Sequence, residues 1–486
     1  MLRQNSANHT KEEKGNILRS KIKNITCLIC LLCTILLCDI CPFSASALTI
    51  GKERELAEKY MKVMKDSGLI IRDPIISNMV TGVGNKIVAI LPPQTFKYSF
   101  YVLNADSFNA FAIPGANIFI HRGLITSLDT VDELAGIIAH ETAHSACRHI
   151  AQLIDKSKIV SVATLAGMIA GIVVSSKGDG ELGKALTMGS AAAGKSAMLS
   201  YTREHETEAD QKGFDYLLKT DFSPTGLLTS LKKIRKADFY GTDDIPDYFK
   251  THPGTRKRIA SLEIMLARYS DKPIPKSPDY NFEMIKYRAI GLFETSIKAT
   301  KIFTRLLRKN PDNAAYHYGY AIALIKQLKT DKAYFHLKKA LAVKPFDPLI
   351  LLEISNILLH NDQPGKALDI LNSIKNSPVL GTAAYYSLGR AFLGLNNSTA
   401  ARENFNKVIC HPGTAVPKTY YYLAELYSRG NNPGLKHYYL GYYYFEIKNR
   451  KNTRVHLKKA LKTLKDKEKI KKANEILKEV KKESLL

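Results

Sequence analysis

The chain has no tryptophan, and only two of its seven cysteines, Cys147 and Cys410, fall outside the first 47 residues. Their spacing does not suit a cysteine-based metal site. Acidic residues are also scarce, 45 Asp+Glu against 71 Lys+Arg, for a net charge of +26. The deficit is uneven: residues 286–486 hold 36 basic and 15 acidic side chains, whereas 48–285 is nearly neutral. The basic portion should attract acidic partners, such as anionic lipid headgroups or acidic polypeptides, unless its lysines only keep a helical surface soluble. No nucleic-acid motif is present, so no nucleic-acid partner is expected. A length of 486 residues exceeds what one core supports, and implies two or more domains.

The other five cysteines lie in a mostly apolar run from Ile25 to Phe43, preceded by basic residues between Lys11 and Lys23 and followed by Ser44-Ala45-Ser46-Ala47. That is the pattern of a secretory signal peptide, with cleavage after Ala47 and a mature chain starting at Leu48. An uncleaved signal-anchor is the rival reading. In an oxidising compartment Cys147 and Cys410 could pair.

The sequence is organised around His140-Glu141-Thr142-Ala143-His144, in a window of helical apolar spacing from Val131 to Ile150. Residues four apart share a helical face, so both imidazoles can hold one metal ion while Glu141 stands beside it as a base. A third ligand is needed. Arg203 to Gly213 is a helical stretch dense in carboxylates, with Glu206 and Asp210 on one face and Glu208 pointing away. Two histidines and one glutamate leave a fourth zinc position open, the catalytic arrangement.

Ahead of the metal helix, helices are expected from Gly51 to Asp66 and from Pro74 to Ile90. Tyr98–Leu103, Phe108–Ile113 and Asn117–Ile120 read as a small antiparallel sheet, whose Asn109, Ala110, Phe111 and Ala112 could align a peptide substrate by edge addition. After the helix, Ile159–Ser176 is an apolar run at the lower limit for a membrane span. With Ala185–Ala197 it reads better as a helical hairpin over the site or against a membrane. Asp271–Tyr280, with three prolines, reads as a linker. Beyond it Pro311, Pro345, Pro378 and Pro412 recur every 33 or 34 residues, each closing a helix; Ala299, Ala333 and Ala400 lie 12 residues before theirs, and a further pair is expected over His437–Leu464. That period resembles tetratricopeptide repeats, which stack helix pairs around a concave polypeptide-binding surface. Lys465–Lys482 would cap the array.

H-E-x-x-H followed by E-x-E-A-D-x-x-G, with Asn109-Ala110-Phe111-Ala112-x-Pro114-Gly115 before it, resembles the HtpX and CaaX-prenyl-protease family of zinc metallopeptidases. The resemblance implies that Glu206 is the third ligand and Asp210 the acid that orients a ligand histidine. It implies one Zn2+ per chain, held by His140, His144 and Glu206. Thr251-His252-Pro253 and Arg258-Ile259 match a segment whose histidine, in periplasmic members, sits near the metal; His252 would either fill the open position at rest or donate to the oxyanion. With that ligand set full, His149 and His205 would lie on the helix surface or behind the ligands rather than bind the metal. Ala116 departs from the family, which commonly has glycine there. Signal peptide, peptidase and repeats in this order resemble periplasmic members that guard the quality of outer-membrane proteins.

The expected architecture is mainly α: a signal peptide (1–47), a zincin-like metallopeptidase domain, helical with a small β-sheet (48–270), a linker (271–285) and an α-solenoid of tetratricopeptide repeats (286–486). The expected function is periplasmic zinc-dependent cleavage of misfolded outer-membrane polypeptides. Contact with the outer-membrane assembly machinery, and with an anionic membrane surface, is expected too. The alternatives are a mostly latent protease working as a chaperone and a membrane-embedded protease.

Overall fold

The structure, a computed structural model, describes residues 48–157, 201–239, 252–269, 277–278, 280–410 and 416–482. The signal segment, the runs 159–176 and 185–197, most of the proline-rich stretch 271–280 and Pro412 lie outside them. Among the described residues, no helix is long and apolar enough to cross a membrane.

The peptidase part opens with α1 (Ile50–Asp66) and α2 (Pro74–Ala89). Gly68, at φ +72, turns the chain after α1, and Asp73 caps α2 by accepting from Ile76 N at 3.0 Å. Strands β1 (Ser99–Leu103), β2 (Ala110–Ile113) and β3 (Asn117–His121) follow. The expected antiparallel hairpin forms between β2 and β3, but the sheet is not antiparallel throughout. Its order is β1-β3-β2, with β1 parallel to β3, because the chain crosses from β1 to the far side of β3 before turning back. Phe119 is the pivot: Tyr101 and Phe111 stack on its ring at 5.1 and 5.3 Å.

From β3 the chain runs through α3 (Arg122–Ser127) into the metal helix α4 (Val131–Ala146). This helix does not continue to Ile150 as expected. It stops at Cys147, Arg148 adopts φ +54, and α5 (His149–Ser157) starts afresh. Helices α6 (Arg203–Leu218), α7 (Thr225–Phe239) and α8 (Thr255–Ala267) complete this part. A Cβ on Gly226 would sit 2.0 Å from Asp132 O, so only glycine lets α7 approach α4 this closely.

Packing does not stop at the stretch read as a linker. Helix Phe282–Phe293 begins inside it, with Met284 and Ile285 fully buried. One hydrophobic core runs from Ile71 in the peptidase part to Ala391 in the repeats, and the described residues from Ile50 onward form one compact unit. Arg288 ties it together. Its guanidinium donates to Asp73 (2.8 Å), Glu353 (2.7 Å) and Tyr318 (2.9 Å), joining the cap of α2 to two repeat helices.

The repeat part is a run of helices from Phe282 to Lys482, and from Ala314 on each helix packs against the next. Within successive pairs the turn residue is left-handed: Leu328, Asp362 and Asn396, 34 residues apart, then Asn431. The buried small residues are Ala299, Ala333, Ala367 and Ala401, again 34 apart. Ala400, expected in this series, is only partly buried. The prolines mislead by one residue because Pro378 starts a 3-10 turn, Pro378–Leu380, rather than simply ending a helix. The final helix, Lys467–Lys482, is amphipathic and buries Ala473, Ile476 and Val480. A second core, from Ala401 to Val480, holds this end.

Candidate metal centre

Two N-caps set the helices that carry the site. Thr130 Oγ1 accepts from Glu133 N and starts α4; Thr202 does the same for His205 N and starts α6. The helices cross closely at Gly213, whose Cβ would lie 3.2 Å from His140 N. The crossing brings Glu206, one turn into α6, against the buried histidines of α4.

His140 Nε2 and His144 Nε2 are 3.0 Å apart. Glu206 lies 3.5 Å from the first and 3.4 Å from the second. His252 joins them: its Nδ1 is 2.9 Å from Glu206 Oε1 and 3.4 Å from His140 Nε2. All four residues are buried, and their inward atoms lie within 4.8 Å of one another. Ligands about 2 Å from a tetrahedral ion are roughly 3.3 Å apart, so this donor set fits a zinc-sized cation.

Glu141 is fully buried, and neither of its carboxylate oxygens accepts a hydrogen bond. Its Oε1 lies 3.5 Å from His252 Nε2. Burial raises its pKa, while the His252 and His140 charges oppose the rise. A carboxylate held this way is suited to taking up a proton. Glu206 behaves oppositely: burial would raise it, but His252 and Arg258 hold it well below the usual carboxylate range.

The ligand rings are held from behind. Asp210 Oδ1 is 2.9 Å from His140 Nδ1. Arg258 fixes Asp210 with two hydrogen bonds, of 2.7 and 2.8 Å, and reaches Glu206 Oε2 at 2.5 Å. Burial favours a neutral His140 and Arg258 pushes the same way, yet Asp210 and Glu206 hold its pKa up at about 9. His144, by contrast, is driven well below its ordinary value by burial and the neighbouring His140. The sequence named Arg258 only as part of a matched segment, with no role, and did not point to the ring of Tyr201, which stacks on His144 at 3.7 Å. Arg258 had a signal, six residues after His252 in the matched segment. Tyr201 had none.

The strand expected to align a substrate lies beside the metal helix. β2 is an edge strand that packs against α4, with Ala110 and Ala112 buried and Phe111 half-buried. Asn109, also buried, stands just before it, and its carbonyl accepts from His121 N at 2.9 Å. Ala116 holds φ +58, the left-handed conformation that explains why glycine is the usual residue there. The expected disulfide is absent. Cys147 and Cys410 are both free: Cys147 caps α4 and meets Glu208 and Lys212, while Cys410 ends helix Ser398–Ile409, exposed.

A helix offering two imidazoles and a base to a carboxylate on a crossing helix is the working part of a metallopeptidase, and this chain is one. Residues 78–266 match the model of peptidase family M48. Beyond it, the chain is similar to beta-barrel assembly-enhancing proteases. It is 27% identical to that of Yersinia pestis over 337 residues, 68% of either chain. With that of Escherichia coli K12 it shares 26% over 356 residues, 73% of this chain and 72% of the other. Among solved structures, the type IV pilus biogenesis factor PilW overlays 41% of this chain and 91% of its own, with a TM-score of 0.32 and 16% identity.

Proposed function

We propose that the protein is a zinc endopeptidase of the periplasm that degrades misfolded or stalled outer-membrane polypeptides. The observation that carries the chemistry is the convergence of His140, His144 and Glu206 on one point, with the unbonded carboxylate of Glu141 beside it. A zinc ion held by His140, His144 and Glu206 would supply Lewis-acid polarisation and lower the pKa of a water toward neutrality. Glu141 takes the proton released in the attack and returns it to the leaving amine. Asp210 and Arg258 keep His140 and Glu206 in place. The β2 edge pairs with the substrate backbone, presenting one peptide bond to Glu141. The sequence features of a signal peptide and the names of the relatives support the compartment and the client class. The helix pairs offer the surface for clients or for the outer-membrane assembly machinery, and their lysines suit contact with anionic lipid.

A second reading has its own observation. His252 stands in the ligand cluster and faces Glu141 as well, so it is placed to take the fourth position that a water or peptide would need. We propose that this is a resting lock, which makes the enzyme mostly latent and leaves room for a chaperone role. Incubating an unfolded outer-membrane β-barrel protein with residues 48–486 and with Glu141→Gln separates the two. Proteolytic function requires that only the parent chain shortens the client. If client assembly is promoted equally by both, the chaperone reading holds.

A further inference from the structure

The two ligand histidines are not held alike. His140 has a carboxylate behind it, whereas His144 has another histidine. His144 Nδ1 is 2.9 Å from Nδ1 of His149, and His149 Nε2 is 3.1 Å from Glu208 Oε2. Residues five apart on an unbroken helix point about 140° away from each other. His149 reaches back to His144 only because α4 stops and Arg148 takes φ +54. That break is pinned: Arg148 donates to the buried carboxylate of Glu53 at 2.9 and 2.6 Å. His149 is itself fully buried, its ring stacked on His205 at 4.2 Å and 17°.

We infer that His149 and Glu208 are positioning residues that fix the tautomer and orientation of His144 toward the metal. The inference rests on the proposal that His144 is a ligand. A neutral imidazole has one ring proton. When His144 turns the lone pair of Nε2 inward, its proton is on Nδ1 and is donated to His149 Nδ1. His149 then carries its own proton on Nε2 and donates it to Glu208. The chain of hydrogen bonds runs one way, from the centre outward. It ends on a carboxylate that Lys212 Nζ pairs with at 2.9 Å. Glu208, which faces away from the metal, thus acts on it through two rings.

The same arrangement argues against a second ion. Cys147, His149 and Glu208 lie close enough to hold one. The Lys212 ammonium already stands 3.1 Å from Cys147 Sγ and 2.9 Å from Glu208, and His149 Nε2 is committed as a donor. This cluster serves the first metal rather than binding another.

The test uses the whole mature chain, residues 48–486, as parent, His149→Phe, Glu208→Gln and the double variant. Zn2+ affinity is read by competition with a chromogenic chelator, the visible spectrum with Co2+ in place of zinc, and the melting temperature without metal. His149→Phe keeps the ring and its stack but removes the acceptor. It should weaken Zn2+ binding roughly 10- to 100-fold and change the Co2+ spectrum, with little change in the metal-free melting temperature. Glu208→Gln should weaken binding less, and the double variant no more than His149→Phe alone, because Glu208 acts through His149. Unchanged affinity and spectrum in His149→Phe would overturn the inference, as would additive losses in the double variant. If His149→Phe does not fold, Glu208→Gln decides, since its side chain is half at the surface; unchanged affinity there overturns the inference too. A parent chain that binds no Zn2+ refutes the metallopeptidase proposal instead.

Discussion

The imidazole of His252 is hydrogen-bonded through Nδ1 to Glu206 Oε1 at 2.9 Å, inside the set of atoms that would hold the metal. Its other nitrogen faces Glu141. A side chain so placed competes with both the incoming peptide and the base. His252→Ala should therefore raise the rate of casein cleavage, by about tenfold if the closed state is favoured by about 1.4 kcal/mol. Loss of activity in that variant would favour the oxyanion role.

Glu141→Gln removes the proton acceptor and keeps the shape. Cleavage should fall by about 10²- to 10⁴-fold, with Zn2+ affinity close to the parent's because Glu141 is not a ligand. Equal loss of zinc in that variant, measured by dialysis and metal analysis, would show that Glu141 holds the ion instead.

Arg288 is buried between Asp73 and Glu353, themselves nearly buried. Arg288→Met leaves two carboxylates without their cation, at the seam of the peptidase and repeat parts. It should destabilise the protein by about 3–5 kcal/mol, read as a lower denaturant midpoint at pH 7. A shift under 1 kcal/mol would mean that this network does not hold the seam.

Within the repeats, His336 and His317 share a hydrogen bond of 2.8 Å between their Nδ1 atoms. Burial and the nearby His317 push the His336 imidazole down to about 4. The unfolded chain takes up this proton near pH 6.5, so it binds more protons than the folded one between these values. Stability present above about pH 6.5 is thus lost as pH falls toward 4. His336→Gln should flatten that acid limb in urea titrations at pH 7, 5.5 and 4.5. A limb of unchanged slope would contradict the assignment.

Much of this site is written in local spacing. Four residues from His140 to His144 and from Glu206 to Asp210 give shared helical faces whatever the rest of the chain does, and the structure brings those faces together. Arg258 and His149 acquire their roles only through tertiary contacts: one across a crossing helix, the other through a left-handed residue that breaks a helix the apolar pattern would continue. The sheet shows the same limit. Alternation finds three strands, but nothing local says that β3 enters between β1 and β2 and runs parallel to β1. In the repeats, proline marks helix ends only loosely, while burial selects Ala401 over Ala400 because packing, not the proline, sets the 34-residue period.

The central claim is that His140, His144 and Glu206 hold a metal used for peptide cleavage. Its most direct test is casein cleavage by residues 48–486 and by the His252→Ala variant, each before chelation, after chelation and after adding back one equivalent of Zn2+. The expected result is cleavage lost on chelation and restored by zinc, larger in His252→Ala than in the parent. Cleavage by neither chain under any of the three conditions, or cleavage that survives the chelator, would contradict it.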